Sequence, residues 1–276
     1  MSLAFLIMHG AGNRIVVVDE RLTGREPPDP GTLRRLGSDA TGPGFDQLMW
    51  VGPASNPAMD ASYRVFNADG TEVEQCGNGV RCVVRMLARE DDDKRRYVLE
   101  SPAGPIEAEL LDDGQVTVNM GAPEFEPGRI PFEAEASADQ YLLEAGPEHF
   151  TVACVSMGNP HCVIEVDDIE TAEVGRVGAL IESHPRFPTR TNVGFMTVRD
   201  RSAIDLRVFE RGVGETLACG TGACAAVVTG IRRGKLGREV TVRLPGGQLV
   251  VSWRGMSEPV WLTGNAELIS EGTIDL

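Results

Sequence analysis

Lysine is almost missing from this chain: two residues, Lys94 and Lys235, serve 276 positions. They lie in DDDKRRY and RRGKLG and read as exposed charges at helix ends, so neither suits the Schiff-base lysine of a pyridoxal phosphate enzyme. Positive charge is short in general, with 26 Lys and Arg against 41 Asp and Glu for a formal net charge of −15. Such a surface repels phosphate backbones, so nucleic acid is not an expected partner. The mixed run Arg89 to Arg96 reads as a solvated helix end and turn. No apolar run approaches the roughly 20 residues of a membrane span, and MSLAFLIMHG lacks the basic region and cleavage site of a signal peptide. The expectation is a soluble, cytoplasmic protein with no membrane partner. A G-x-x-x-x-G-K-[ST] loop and a G-x-S-x-G elbow are also absent, and GVGETLACG lacks the surroundings of a dinucleotide site.

Cysteine is scarce too, and its spacing carries information. Six cysteines without a secretion signal do not form a disulfide scaffold. There is no C-x-x-C, and the gaps of five, seven and four residues within the pairs 76/82, 154/162 and 219/224 suit zinc poorly. Free thiols and no metal are expected. Two of these cysteines stand in one repeated motif, EQCGNGVRC ending at Cys82 and LACGTGAC ending at Cys224.

The motif belongs to a longer duplication. Val65 to Gly79 (VFNADGTEVEQCGNG) aligns without gaps on Val208 to Gly222 (VFERGVGETLACGTG) at an offset of 143, with six of fifteen positions identical. A looser match sets Asn13 against Asn159 and Gln47 against Asn192. Two halves of like architecture follow, with crossings expected near Met120 to Gly128 and near Thr263. Strands are expected in RIVVVDE, YRVFNADG, QVTVNMG and SAIDLRVFE, and a hairpin in EVTVRLPGGQLVVSW. After CGNG, Val80, Val83, Val84 and Leu87 fall at helical spacing, with Arg81, Arg85 and Arg89 on another face; ACAAVVTGI after CGTG reads as a buried helix. In both halves the order is strand, loop, Cys-Gly-x-Gly, helix.

A helix start offers unpaired N–H donors and partial positive charge, which favours a thiolate and binds a carboxylate. Two such starts converging on one cleft would flank a small carboxylate with sulfurs on opposite faces. Inverting a carbon centre needs a base on one face and an acid on the other, and a thiolate and thiol can exchange those roles.

FNADGTEVEQCGNGVRC, VSMGNPHCVIEV, FPTRTNVGFM and VFERGVGETLACGTGACA resemble, in order and spacing, the diaminopimelate epimerases. The resemblance covers nearly the whole chain. It implies an α/β (α+β) fold of two pseudo-symmetric domains, residues 1–119 plus 265–276 and residues 120–264. Each would be a mixed sheet wrapped round a central helix, with the active site in the cleft between them. It implies a cofactor-independent isomerase that interconverts LL- and meso-diaminopimelate on the route to lysine and peptidoglycan precursors, assembled as a homodimer. It makes Cys76 and Cys219 the catalytic pair. Asn13, Gln47, Asn67, Asn159, Asn192, Glu210 and Arg211 become substrate-binding positions, and Gly77, Asn78, Gly220 and Thr221 the donors at the helix starts. The chain departs from the family pattern M-x-G-x-G-N-D-F by carrying Arg14 and Ile15, and it places Phe45 where a small residue is common, which would alter the cleft wall.

Plainer roles are expected elsewhere. Cys82, Cys154, Cys162 and Cys224 read as small buried hydrophobes, and Met49 and Met196 as core. Glu72 and Glu215 coincide in the repeat and would hydrogen-bond loop backbone. His161 in GNPHC is assigned to the site, where it would tune the substrate amine, while His9 could be either site or frame. Two rivals to the epimerase reading are a cofactor-free racemase for another amino acid, proline-like for example, and a thiol redox or metal-binding module.

Overall fold

The computed structural model of the chain describes residues 2–73 and 76–275. It divides into two compact units, Met1–Asn119 with Thr263–Leu276, and Met120–Leu262. The return to the first unit thus falls at 262/263, inside a strand, rather than at 264/265. No helix among the described residues is long and apolar enough to cross a membrane.

The first unit opens with β1 (Ser2–Gly10), β2 (Asn13–Asp19), α1 (Pro30–Gly37), β3 (Gln47–Gly52) and β4 (Ala61–Asn67). It continues with β5 (Glu72–Val73), α2 (Gly77–Leu87), β6 (Arg96–Ser101), β7 (Gly104–Leu110) and β8 (Val116–Asn119). The second unit holds β9 (Tyr141–Ala145), β10 (Glu148–Ser156), β11 (Pro160–Glu165), α3 (Val174–Glu182), β12 (Asn192–Asp200) and β13 (Ala203–Glu210). Next come β14 (Gly214–Thr216), α4 (Gly220–Arg232), β15 (Glu239–Leu244), β16 (Gly247–Trp253), β17 (Val260–Gly264) and finally β18 (Glu267–Asp275), which belongs to the first unit.

The two units repeat one pairing scheme. In the first, β1/β2 run antiparallel, β2/β3 parallel, β3/β4 antiparallel and β4/β6 parallel, and β6/β7 close a hairpin. In the second, β10/β11, β11/β12, β12/β13, β13/β15 and β15/β16 follow the same sequence of directions. An extra antiparallel strand flanks each scheme, β18 on β1 and β9 on β10. The sequence duplication is therefore a duplication of fold.

Burial explains why the segments take these forms. The apolar spacing of α2 buries Val80, Cys82, Val83, Val84, Met86 and Leu87, and the helix contacts β1, β2, β3, β7 and β8 of its own unit. Small residues on all sides let α4 sit equally deep, against β10 to β13, β15 and β16. A second helix lies outside each sheet. Leu33 and Leu36 of α1 join Leu3, Val16, Val18, Leu48 and Phe66, while Val174, Val177 and Ile181 of α3 join Val152, Ile164 and Phe195. Burial of each such side chain is worth about 1.5–3 kcal/mol.

Candidate active site

The chain leaves β4, turns back through β5, and enters α2 with Cys76 as its N-cap in extended backbone. The sulfur accepts a hydrogen bond from the Gly79 amide at 3.2 Å, so the thiol takes the place usually held by a Ser or Asp oxygen. Gly79 allows α2 to start hard against β3, because a Cβ there would collide with the Met49 side chain. The Cys76 thiol also meets Gln47 Oε1. Gln47 stands opposite Asn67 in the β3/β4 ladder and donates from Nε2 to Asn67 Oδ1 at 3.2 Å. The Cys76 thiol and the polar pair of Gln47 and Asn67 thus share one end of the first sheet.

In the second unit Cys219 takes the N-cap position of α4 in extended backbone. Its neighbours are polar side chains. Thr221 Oγ1 lies 3.6 Å from the sulfur, and the Glu210 carboxylate is within hydrogen-bonding reach of the thiol. Burial, together with the charge of Glu210, pushes the Cys219 pKa well above the usual thiol range, and Thr221 and the Gly222 amide oppose that rise. Burial also raises the Glu210 pKa, against hydrogen bonds from Thr216 and Cys219. A carboxylate and a thiol that both hold protons tightly can pass one between them.

His161 extends this group. Burial, with the charge of Arg211, lowers its pKa to about 3, so the ring is neutral. Its Nε2 lies 3.0 Å from Asn159 Oδ1, an acceptor, which places the ring proton on Nε2. Asn159 Nδ2 then donates to Thr221 Oγ1 at 3.4 Å. Asn192 is locked at both ends, donating to Pro160 O and accepting from the Arg211 amide, each at 3.0 Å.

The expected site residues therefore assemble as two groups, Gln47, Asn67 and Cys76 in one unit and Asn159, His161, Glu210, Cys219 and Thr221 in the other. Asn192 and Arg211 are tied to each other. Gly77 and Asn78 begin α2, and Gly220 and Thr221 begin α4. Asn13 opens β2 after the tight turn at Ala11 and Gly12, and its ladder partner Gly10 lies against Asn78.

Several expectations need correction. Arg81, expected on a face away from the apolar stripe, is wholly buried, donating to Asn78 Oδ1 at 2.7 Å and Asn265 O at 3.2 Å, and α2 ends at Leu87, before Arg89. Among the described residues Glu72 and Glu215 bind no loop backbone; each holds an arginine across its hairpin, Arg64 and Arg207. Phe45 packs into the core of the first unit beside Leu33 and Leu48. Arg14 is accommodated by Asp39, 3.0 Å from its guanidinium, and by Asp46, which accepts its amide, while Ile15 is buried beside Gln47 in the β2/β3 ladder. The counterpart of His161 is Ile15, not His9, which lies on β1.

Sequence reasoning also missed Glu182. This buried carboxylate at the end of α3 accepts the Gly212 amide at 2.8 Å and Arg190 at 3.1 Å, so it secures the loop that carries Arg211. Nothing in the pattern of α3 announces it. The buried status expected of Cys82, Cys154, Cys162 and Cys224 is met, and burial raises the Cys82 pKa to about 12.

Known proteins resemble the chain throughout. Residues 5–126 and 153–269 match the family described as diaminopimelate epimerase. A hydroxyproline epimerase from Agrobacterium vitis, solved with trans-4-hydroxy-L-proline, superposes with a TM-score of 0.73 at 17% identity, covering 99% of this chain and 91% of that one. A probable proline racemase from Agrobacterium radiobacter gives 0.71 at 16%, covering 99% and 93%. A predicted epimerase from Pseudomonas aeruginosa gives 0.71 at 16%, covering 99% of both chains. At these identities the likeness is one of fold, the fold of epimerases and racemases.

Proposed function

The chain belongs to the diaminopimelate epimerase family, and from that membership and its two thiol sites we propose that it inverts an α-carbon of diaminopimelate, interconverting the LL and meso forms. The observation that carries this reading is that Cys76 and Cys219 cap the same helix of a duplicated frame, each sulfur with its own polar partners.

In this reading the two cysteines reach one α-carbon from opposite faces. The Glu210 carboxylate draws the proton from Cys219, and the thiolate so formed removes the α-proton. The electron pair left on carbon spreads into the substrate carboxylate, whose growing charge is held by first-turn amides of the helices, Gly77 and Asn78 in one and Gly220 and Thr221 in the other. Cys76 delivers its proton to the opposite face, and its thiolate is then capped by the Gly79 amide. The reverse reaction exchanges the roles. Arg211, anchored through its backbone by Asn192, would take the distal carboxylate, and the asparagines the amino groups. Fixed polar partners for a distal group penalise amino acids that lack one.

Proton NMR of the reduced protein with LL-diaminopimelate in D2O tests the proposal. Deuterium entry at the α-carbon together with meso product is the expected result. Exchange on proline or another amino acid, with none on diaminopimelate, would keep the proton chemistry and overturn the substrate.

A further inference from the structure

The hydrogen bonds that end on Cys76 begin at the surface turn between β4 and β5. Thr71 donates its hydroxyl proton to Asp69 Oδ1 at 2.6 Å, and its amide reaches the same oxygen at 2.9 Å. Asp69 is the fixed end of the series. The Thr71 hydroxyl and amide bonds hold its carboxyl below the usual range, so it is an ionised group that can only accept.

Every later bond then has one possible direction. A hydroxyl has a single proton, and Thr71 has given its own to a carboxylate, so Thr71 Oγ1 accepts from Asn67 Nδ2 at 3.2 Å. This turns Asn67 Oδ1 toward Gln47, whose Nε2 must donate, and leaves Gln47 Oε1 facing the sulfur. Reversing the Gln47 amide would set its oxygen against Asn67 Oδ1, acceptor against acceptor. An oxygen at the sulfur is satisfied by S–H and repels S⁻.

We infer that Asp69 and Thr71 are positioning residues that set the direction of the Asn67 and Gln47 hydrogen bonds and thereby keep Cys76 as the protonated, acid member of the pair at rest. The inference rests on the reading of Cys76 as an acid–base group, but it makes a claim about the sulfur that holds without substrate. Cys82 on α2 and Tyr63 on β4 interact electrostatically with Cys76, and burial raises the pKa of both, so neither changes charge near neutral pH.

The test is the rate of iodoacetamide labelling at Cys76, followed residue by residue by mass spectrometry near neutral pH without substrate. Thr71→Val frees the two amides to reverse, and labelling should rise about three- to tenfold, the worth of one neutral hydrogen bond. Thr71→Ser should restore the slow rate, and buried Cys82 should stay unlabelled in both. Unchanged Cys76 labelling in folded Thr71→Val, or a serine variant that behaves like the valine one, overturns the inference. If Thr71→Val exposes Cys82, the unmodified protein decides: its infrared S–H band that vanishes in Cys76→Ala must be present at neutral pH, and its absence overturns the inference. Failure of turnover on diaminopimelate would touch neither readout.

Discussion

At the same place in the repeat, one unit carries Asn67 and the other Glu210, and the two thiols have correspondingly different surroundings. The Cys76 sulfur meets a backbone amide, that of Gly79, and the Gln47 side-chain oxygen. Around Cys219 there is a carboxylate with a raised pKa, a hydroxyl, and a neutral histidine one asparagine away. The frames match strand for strand, yet one sulfur meets a carboxylate and the other a glutamine oxygen. Duplication supplied two equivalent helix starts, and divergence at a few polar positions gave the two thiols different partners. A symmetric pair of thiols would have no preferred starting state.

The largest expected effect removes either half of the comparison. Cys76→Ala and Cys219→Ala should each lower turnover on diaminopimelate at least about a thousandfold, since one face alone cannot invert the centre. A variant that keeps substantial turnover would mean that a different group serves that face.

Glu210→Gln tests the asymmetry itself. Turnover should fall about 10- to 100-fold with the loss of the proton acceptor. Labelling of Cys219 near neutral pH should nevertheless become faster, because the charge that raises its pKa has gone. Loss of activity together with slower labelling would show that Glu210 only supports the loop.

His161 makes a smaller, pH-dependent difference. Its pKa near 3 in the fold lies below the usual histidine value, so between those limits the unfolded chain binds the proton and the folded chain does not. Its contribution to stability is complete above about pH 6.5 and is lost as pH falls toward 3, with a slope of at most about 1.4 kcal/mol per pH unit. Urea unfolding across that range should show a shallower loss for His161→Gln, and parallel curves would remove His161 from the account. The smallest effect belongs to the first unit's departure from its family. Arg14 and Asp39 are an exposed pair, so Arg14→Ala should change unfolding free energy by less than about 1 kcal/mol and turnover by less than about twofold.

The fold was largely legible in the sequence because its signals are local. Val80, Val83, Val84 and Leu87 mark α2 by their spacing alone, and the Gly pair after each cysteine marks the helix start. The duplication then extends each reading to the other half. What stayed hidden depends on partners far away in sequence. Arg81 lies off the apolar stripe of α2, and its burial makes sense only once Asn265, 184 residues on, accepts a hydrogen bond from it. Glu182 ends an ordinary amphipathic helix, and only the position of Gly212, 30 residues later, gives its burial a purpose. Asp69 and Thr71 read as turn residues, which they are, and a turn motif does not reveal which amides it orients. The glutamates at 72 and 215 were visible as a coincidence, but the arginines they hold lie eight residues back, across a hairpin.

The strand β18 has a further consequence for how the protein is made. It pairs along almost the whole of β1, from Ser2 to His9, so the sheet of the first unit stays incomplete until residues 267–275 have been synthesised. The second unit, continuous from Met120 to Leu262, has no such wait. The half translated earlier, with Cys76, therefore cannot complete its sheet until the half translated later has been made.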